Sequence, residues 1–154
     1  MKRRSFEQST CAVARALDEV GDCWTMMILR DVFEGSHRFG EFERKLDIPK
    51  RALSSRLKSM VASGILATVP ASDGSAYKEY VLTEKGRGLF HVMVALRQWG
   101  ETHLFATEAK PAATLVDVET GQPVRALELH SADGKLLGMS DTVVVYDGPD
   151  QREG

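Results

Sequence analysis

Apolar residues keep a helical period through the first 60 residues of the chain. Val13, Ala16, Leu17 and Val20 are spaced i, i+3, i+4, i+7, one face of a short amphipathic helix stopped near Gly21. Asp22 suits the cap of a second helix, with Trp24, Met27, Ile28, Leu29, Val32 and Phe33 as its apolar stripe and Gly35 at its end. After a short segment over 36–40, a third helix fits 41–46, with Phe42 and Leu46 facing inward. Asp47, Ile48 and Pro49 form a turn. Pro49 fits the first position of the next helix, where the N–H it lacks would be unpaired anyway. That fourth helix runs over about 50–63. Leu53, Leu57, Met60 and Val61 share one face of it, and Gly64 ends it.

Then the period falls to two. Residues 65–70 and 77–82 read as strands, joined through Asp73-Gly74, a strong hairpin turn signal. Thr83 and Glu84 open a long helix to about Phe105. Leu89, Phe90, Val92, Met93, Val94, Leu96, Trp99 and Leu104 cover more than one of its faces, so it needs a second partner beyond its own core. Beyond Lys110-Pro111 the pattern breaks into short strands at 115–118, 124–130, 135–137 and 142–146, with turns at Thr120-Gly121 and Asp133-Gly134. The expected organisation is a helical body over 1–110, carrying a β hairpin, and a small antiparallel β extension over 111–154. The fold class is mainly α with a β-hairpin wing. Two short helices joined by a tight turn and followed by a hairpin is the order of a winged helix-turn-helix, in which the second helix of the pair enters the major groove.

Charge changes the picture once it is divided along the chain. The 154 residues carry a net charge of −2, which by itself speaks against a nucleic-acid partner. Residues 1–104 hold 16 basic and 13 acidic side chains, a net of +3, whereas residues 105–154 hold 4 and 9, a net of −5. Residues 37–58 alone carry +4, from 7 basic and 3 acidic side chains. Local charge governs phosphate binding, and the total bears mainly on solubility. From Lys50 to Gly64 there is no acid at all. Opposite the apolar face of that helix stand Arg51, Ser55 and Lys58, with Ser54 beside them. Solvated surface helices usually mix signs. A basic face with small hydroxyls is what base edges and phosphates require. The expected base-reading residues are Arg51, Ser54, Ser55 and Lys58. Arg38, Lys50, Arg56 and Lys78 are expected on phosphates.

These residues also carry a resemblance. Residues 11–100 resemble the HxlR-type transcriptional regulators. The matching stretches are Cys23 to Asp31 (CWTMMILRD), Glu34-Gly35, Arg38 to Phe42 (RFGEF), Leu53 to Lys58 (LSSRLK), Gly64-Ile65-Leu66, Tyr80 to Gly86 (YVLTEKG) and Leu96 to Gly100 (LRQWG). Each piece alone is weak; the ordered set is specific. The resemblance implies a homodimer on a near-palindromic operator, with half-sites about 34 Å apart. It implies dimerisation through the N-terminal and post-wing helices, which places Val13, Leu17, Phe90, Val94 and Trp99 at the interface. It departs from the family at the wing tip. Family wings commonly carry a basic residue there, and this one reads Ser72-Asp73-Gly74-Ser75. Asp73 would repel a phosphate, so a weaker wing contact is expected, through Lys78 and backbone amides.

Cys11 aligns with a cysteine that many members of the family share, which senses oxidants in some of them. It precedes the first helix and has Arg15 one turn on, a setting that favours a thiolate; the competing reading is a thiol packed at the dimer interface. Two cysteines are too few for a disulfide scaffold, and spacing gives no ground for a Cys11–Cys23 bond. The four histidines lack metal-ligand spacing. In the extension His130 and Asp133 supply too few ligands for zinc, so no metal or cofactor is expected. No leader-like apolar segment follows the N-terminus and no run approaches 18 apolar residues, so the expected location is the cytoplasm, away from membranes. Trp24, Met27, Phe90, Met93 and Trp99 could line a site for a small-molecule effector, or simply be core. The main alternative to double-stranded DNA as partner is an acidic protein bound by the same helix, that is, a winged-helix interaction module without specific DNA binding. An enzyme is the weakest reading, since no nucleophile, phosphate loop or carboxylate pair assembles a site.

Overall fold

The computed structural model describes residues 5–146. The chain falls into two compact units, Met1–Met93 and Val94–Gly154.

In the first unit, α1 (Ala12–Val20), α2 (Cys23–Phe33), α3 (Phe39–Leu46) and α4 (Lys50–Ala62) precede a hairpin of β1 (Leu66–Pro70) and β2 (Lys78–Leu82). The core draws on the apolar faces read for α2, α3 and α4, whereas of the face read for α1 only Val20 is buried. Ile28 and Leu29 of α2, Phe42 of α3 and Leu53 of α4 are 0% exposed, with Leu57, Met60, Ile65 and Leu66 closing around them. Local chemistry sets the ends of these helices. The Asp22 carboxylate accepts the Thr25 amide at 3.1 Å, capping α2. Gly35 ends that segment with φ +94°. Glu41, at the third position of α3, reaches back to accept the amides of His37 at 2.7 Å and Arg38 at 2.8 Å, and these bonds hold its carboxyl below the usual range. Pro49 lies one position earlier than expected: it is the cap residue of α4, and Lys50 is the first helical residue. Asp47 makes the turn between α3 and α4 possible by taking a left-handed conformation, φ 49°.

The hairpin pairs antiparallel from Leu66↔Leu82 to Pro70↔Lys78. The segment before α3 is tied to it, because the Tyr80 amide donates to the His37 carbonyl at 2.7 Å.

The long helix expected from Thr83 to Phe105 is two helices, α5 (Glu84–Arg87) and α6 (Phe90–His103). Thr83 caps α5, its hydroxyl accepting the Gly86 amide at 3.0 Å. A Cβ on Gly86 would stand 2.2 Å from the Ile65 carbonyl oxygen, so only glycine lets this turn press against the start of the wing. The chain then tightens at Gly88 and Leu89, where the Leu89 amide bonds to the Gly86 carbonyl three residues back, before α6 begins.

The second unit holds the rest of α6 and the extension. The extension pairs less than its pattern suggested. β3 (Leu129–His130) pairs with β4 (Leu136–Leu137), Val116 bridges Pro123, and a short 3-10 turn spans Met139–Asp141. Residues 142–146 are not paired into a strand. Turns hold the rest: Asp117 accepts the amides of Glu119 and Thr120, both at 2.8 Å. Gln98 of α6 clamps the chain, donating to the Arg125 carbonyl at 3.0 Å and accepting the Leu127 amide at 2.8 Å, much as a neighbouring strand would. Short hairpins with little buried apolar surface extend their ladders poorly, which accounts for the missing strands.

Candidate nucleic-acid interface

The buried Leu53, Leu57 and Met60 turn α4 so that its opposite face points to solvent. Arg51, Ser55 and Lys58 are exposed on that face and Ser54 is half-buried at its margin. Among the described residues, Arg51 and Lys58 have no ion-pair partner, and Lys78 on β2 is likewise exposed and unpaired. Among the described residues, then, no acidic side chain pairs with these three cations.

The other cations are engaged to different degrees. Lys50 lies 3.5 Å from Glu43 yet remains 77% exposed, a loose pair that a phosphate could replace. Arg56 lies 3.3 Å from the Asp22 carboxylate that caps α2, and so ties α4 to the start of that helix. Arg38 is the most committed. Its Nη2 is 2.8 Å from Asp73 at the wing tip and 2.9 Å from Glu79, and its Nε donates to the same Glu79 oxygen at 3.2 Å. Ser72 adds its amide and hydroxyl to that oxygen, at 3.3 Å and 3.0 Å. Arg38 holds the Glu79 carboxyl below its usual range; burial opposes the shift and Ser72 supports it. This cluster fastens the wing to the N-terminus of α3. Asp73 therefore answers a cation of its own chain, and its charge at the tip is partly neutralised before any phosphate approaches.

Periodicity alone did not expose this cluster. Its signal is Glu79, a charged residue at a strand position that turns inward, 9% exposed, and so in need of a cation from elsewhere in the chain. The two cysteines lie at helix starts. Cys11 is exposed at the cap position of α1, and Cys23 is exposed at the start of α2; both are free. Of the residues expected at a dimer face, Val13 is 67% exposed, Leu17 51%, Phe90 40% and Trp99 55%. Val94, also expected at that face, is instead buried within the single chain at 6% and so has little surface to offer a second copy.

A tightly packed helix pair with an outward basic face, backed by a hairpin, is the geometry of a winged helix-turn-helix. The family model described as HxlR-like helix-turn-helix matches residues 19–108. The chain belongs to this family. Among its relatives, the uncharacterized HTH-type transcriptional regulator Rv3095 of Mycobacterium tuberculosis is 47% identical over 100 residues, covering 65% of this chain. The match spans 63% of the length of that relative. The HxlR-like fold extends to solved structures. PA1607, a candidate transcription factor, superposes with a TM-score of 0.88 at 46% identity over 94% of this chain and 100% of its own. The redox regulator HypR in its oxidized form matches 62% of this chain and 100% of its own, with a TM-score of 0.57 and 31% identity. Among the described residues, no helix of this HxlR-like chain is long and apolar enough to cross a membrane.

Proposed function

We propose that the chain is a homodimeric, sequence-specific DNA-binding transcriptional regulator acting in the cytoplasm. The observation that carries this reading is the outward face of α4: Arg51, Ser55 and Lys58 exposed, no acid along the helix, and its reverse face locked in the core. In this reading Arg51, Ser54, Ser55 and Lys58 meet base edges in the major groove. Lys50, Lys78 and the ends of Arg56 meet phosphates. Arg38 acts mainly by holding the wing in place. The exposed Val13, Leu17, Phe90 and Trp99 are the apolar side chains offered to a second copy, and dimerisation sets two reading helices on a near-palindromic operator. Cys11 is an exposed thiol at the start of α1, and the likeness to HypR supports a response to oxidants through it.

The test is binding of the purified protein to DNA fragments it selects from its own genome, with and without diamide. Arg51→Ala is expected to lose about 1–3 kcal/mol of specific affinity, roughly 5- to 150-fold, while keeping nonspecific binding. Cys11→Ser is expected to abolish any change caused by diamide. If Arg51→Ala binds selected fragments as wild type does, or if no fragment is selected and an acidic protein binds α4 instead, the reading fails.

A further inference from the structure

The extension has specific turns and almost no interior. From Val94 to Tyr146, Val94 is the one buried hydrophobic residue among the described residues. Leu129 is 59% exposed, Leu136 57%, Val143 84%, Val144 74%, Val145 78% and Tyr146 57%. Such a segment cannot offset the entropy of its own ordering by burial within one chain. Leu129, Leu136 and Val143–Val145 thus leave apolar side chains open to a partner.

Residues 142–146 point to what covers it. Thr142 is extended, with φ −127° and ψ 151°. Among the described residues, the backbone groups of Val143–Val145 and Tyr146 have no hydrogen-bond partner. The run Thr-Val-Val-Val-Tyr is β-branched or aromatic throughout and carries no charge. An unpaired run of this kind is a template for another strand. It is also complementary to itself: laid antiparallel about a two-fold axis, valine meets valine. The acidity of residues 105–154 disfavours DNA as the covering surface. A permanently apolar strip also needs a partner present in equal amount, and a second copy meets that condition wherever the chain is made.

We propose that residues 142–146 pair antiparallel with the same residues of a second copy, centred on Val144, and that this joint sheet closes over the apolar strip of both extensions. The inference does not depend on DNA binding or on the α1 and α6 face.

The test is site-specific disulfide trapping in the full chain. In a Cys11→Ser/Cys23→Ser background, Val144→Cys would face its own copy across the axis at a separation a disulfide can span. It is expected to form a covalent dimer under mild oxidant about 100-fold faster than Val118→Cys, since pairing holds the thiols at roughly millimolar effective concentration in protein at about 10 µM. Val118 is the control because it is 98% exposed on a turn of the same extension. A mixture of Val143→Cys and Val145→Cys chains should cross-link faster than either alone. These exposed valines tolerate cysteine without loss of fold, which circular dichroism checks. Equal rates at positions 144 and 118 would overturn the proposal, whether the strip is then covered by another protein or by a different surface of a second copy. Loss of DNA binding with trapping intact would overturn the proposed function and leave this pairing standing.

Discussion

In the unit ending at Met93, Ile28, Leu29, Phe42 and Leu53 are completely buried, and the back of α4 is part of that core. In the extension, Leu129, Leu136 and Val143–Val145 have the same apolar character and none of the burial. The two regions use similar side chains for different ends. In the first, hydrophobic contact fixes a single chain so that a polar face can be presented accurately. In the second, it is left unspent within the chain and is available for association. A truncation should therefore act on folding in one region and on assembly in the other. Leu53→Ala is expected to lower the unfolding free energy by about 2–5 kcal/mol, seen as a shifted denaturation midpoint with unchanged slope. Leu129→Ala should leave that transition within about 0.5 kcal/mol when the protein is dilute, and raise the concentration at which the protein dissociates in sedimentation velocity. Equal effects of both changes on dilute unfolding would erase the distinction.

Within the first unit a second contrast separates cations that build from cations that are free. Arg38 is held by Asp73 and Glu79, whereas Arg51 and Lys58 have no such partner among the described residues. The carboxyl of Glu79 is held below its ordinary 4.5 in the fold, so the folded state binds its proton less readily than the unfolded chain does. Its stabilising contribution is complete above the unfolded value and is lost as pH falls through the lower, folded one. Glu79→Gln should lower the melting temperature at neutral pH, and the gap to wild type should close as the pH drops well below 4.5. A gap that persists unchanged into acid would mean that the charge of Glu79 is not what holds the wing.

The sequence was most legible where a period was long and a core face was needed. Leu53, Leu57 and Met60 fixed both the existence of α4 and the direction of its basic side, so the expected reading face follows directly from the buried one. Legibility failed where a single close contact overrode a pattern. The apolar run from Leu89 to Leu104 suggested one helix from Thr83, but Gly86 lies too near the Ile65 carbonyl for any side chain and the backbone tightens before Phe90. It failed again in the extension, where alternation at 124–130 implied a strand. Alternation specifies a strand only when one face has something to pack on, and within this chain that face has little. The ion-pair cluster was hidden for a different reason: Arg38 and Glu79 are 41 residues apart, and no local pattern joins them.

The smallest effect concerns the wing itself. Its tip carries Asp73, already answered by Arg38, so the free positive charge left on the hairpin is that of Lys78, exposed at the start of β2. A phosphate contact carries no sequence information, and each one contributes about one unit to the dependence of log affinity on log salt. Lys78→Ala should therefore weaken selected and random DNA alike and reduce the salt slope by about one per protomer. Arg51→Ala should instead narrow the difference between those two DNAs. If Lys78→Ala changes specificity and leaves the slope alone, the hairpin reaches bases. The wing would then be a second reading element whose position is set by the Arg38 cluster, and Glu79→Gln would be expected to disturb specificity as well as stability.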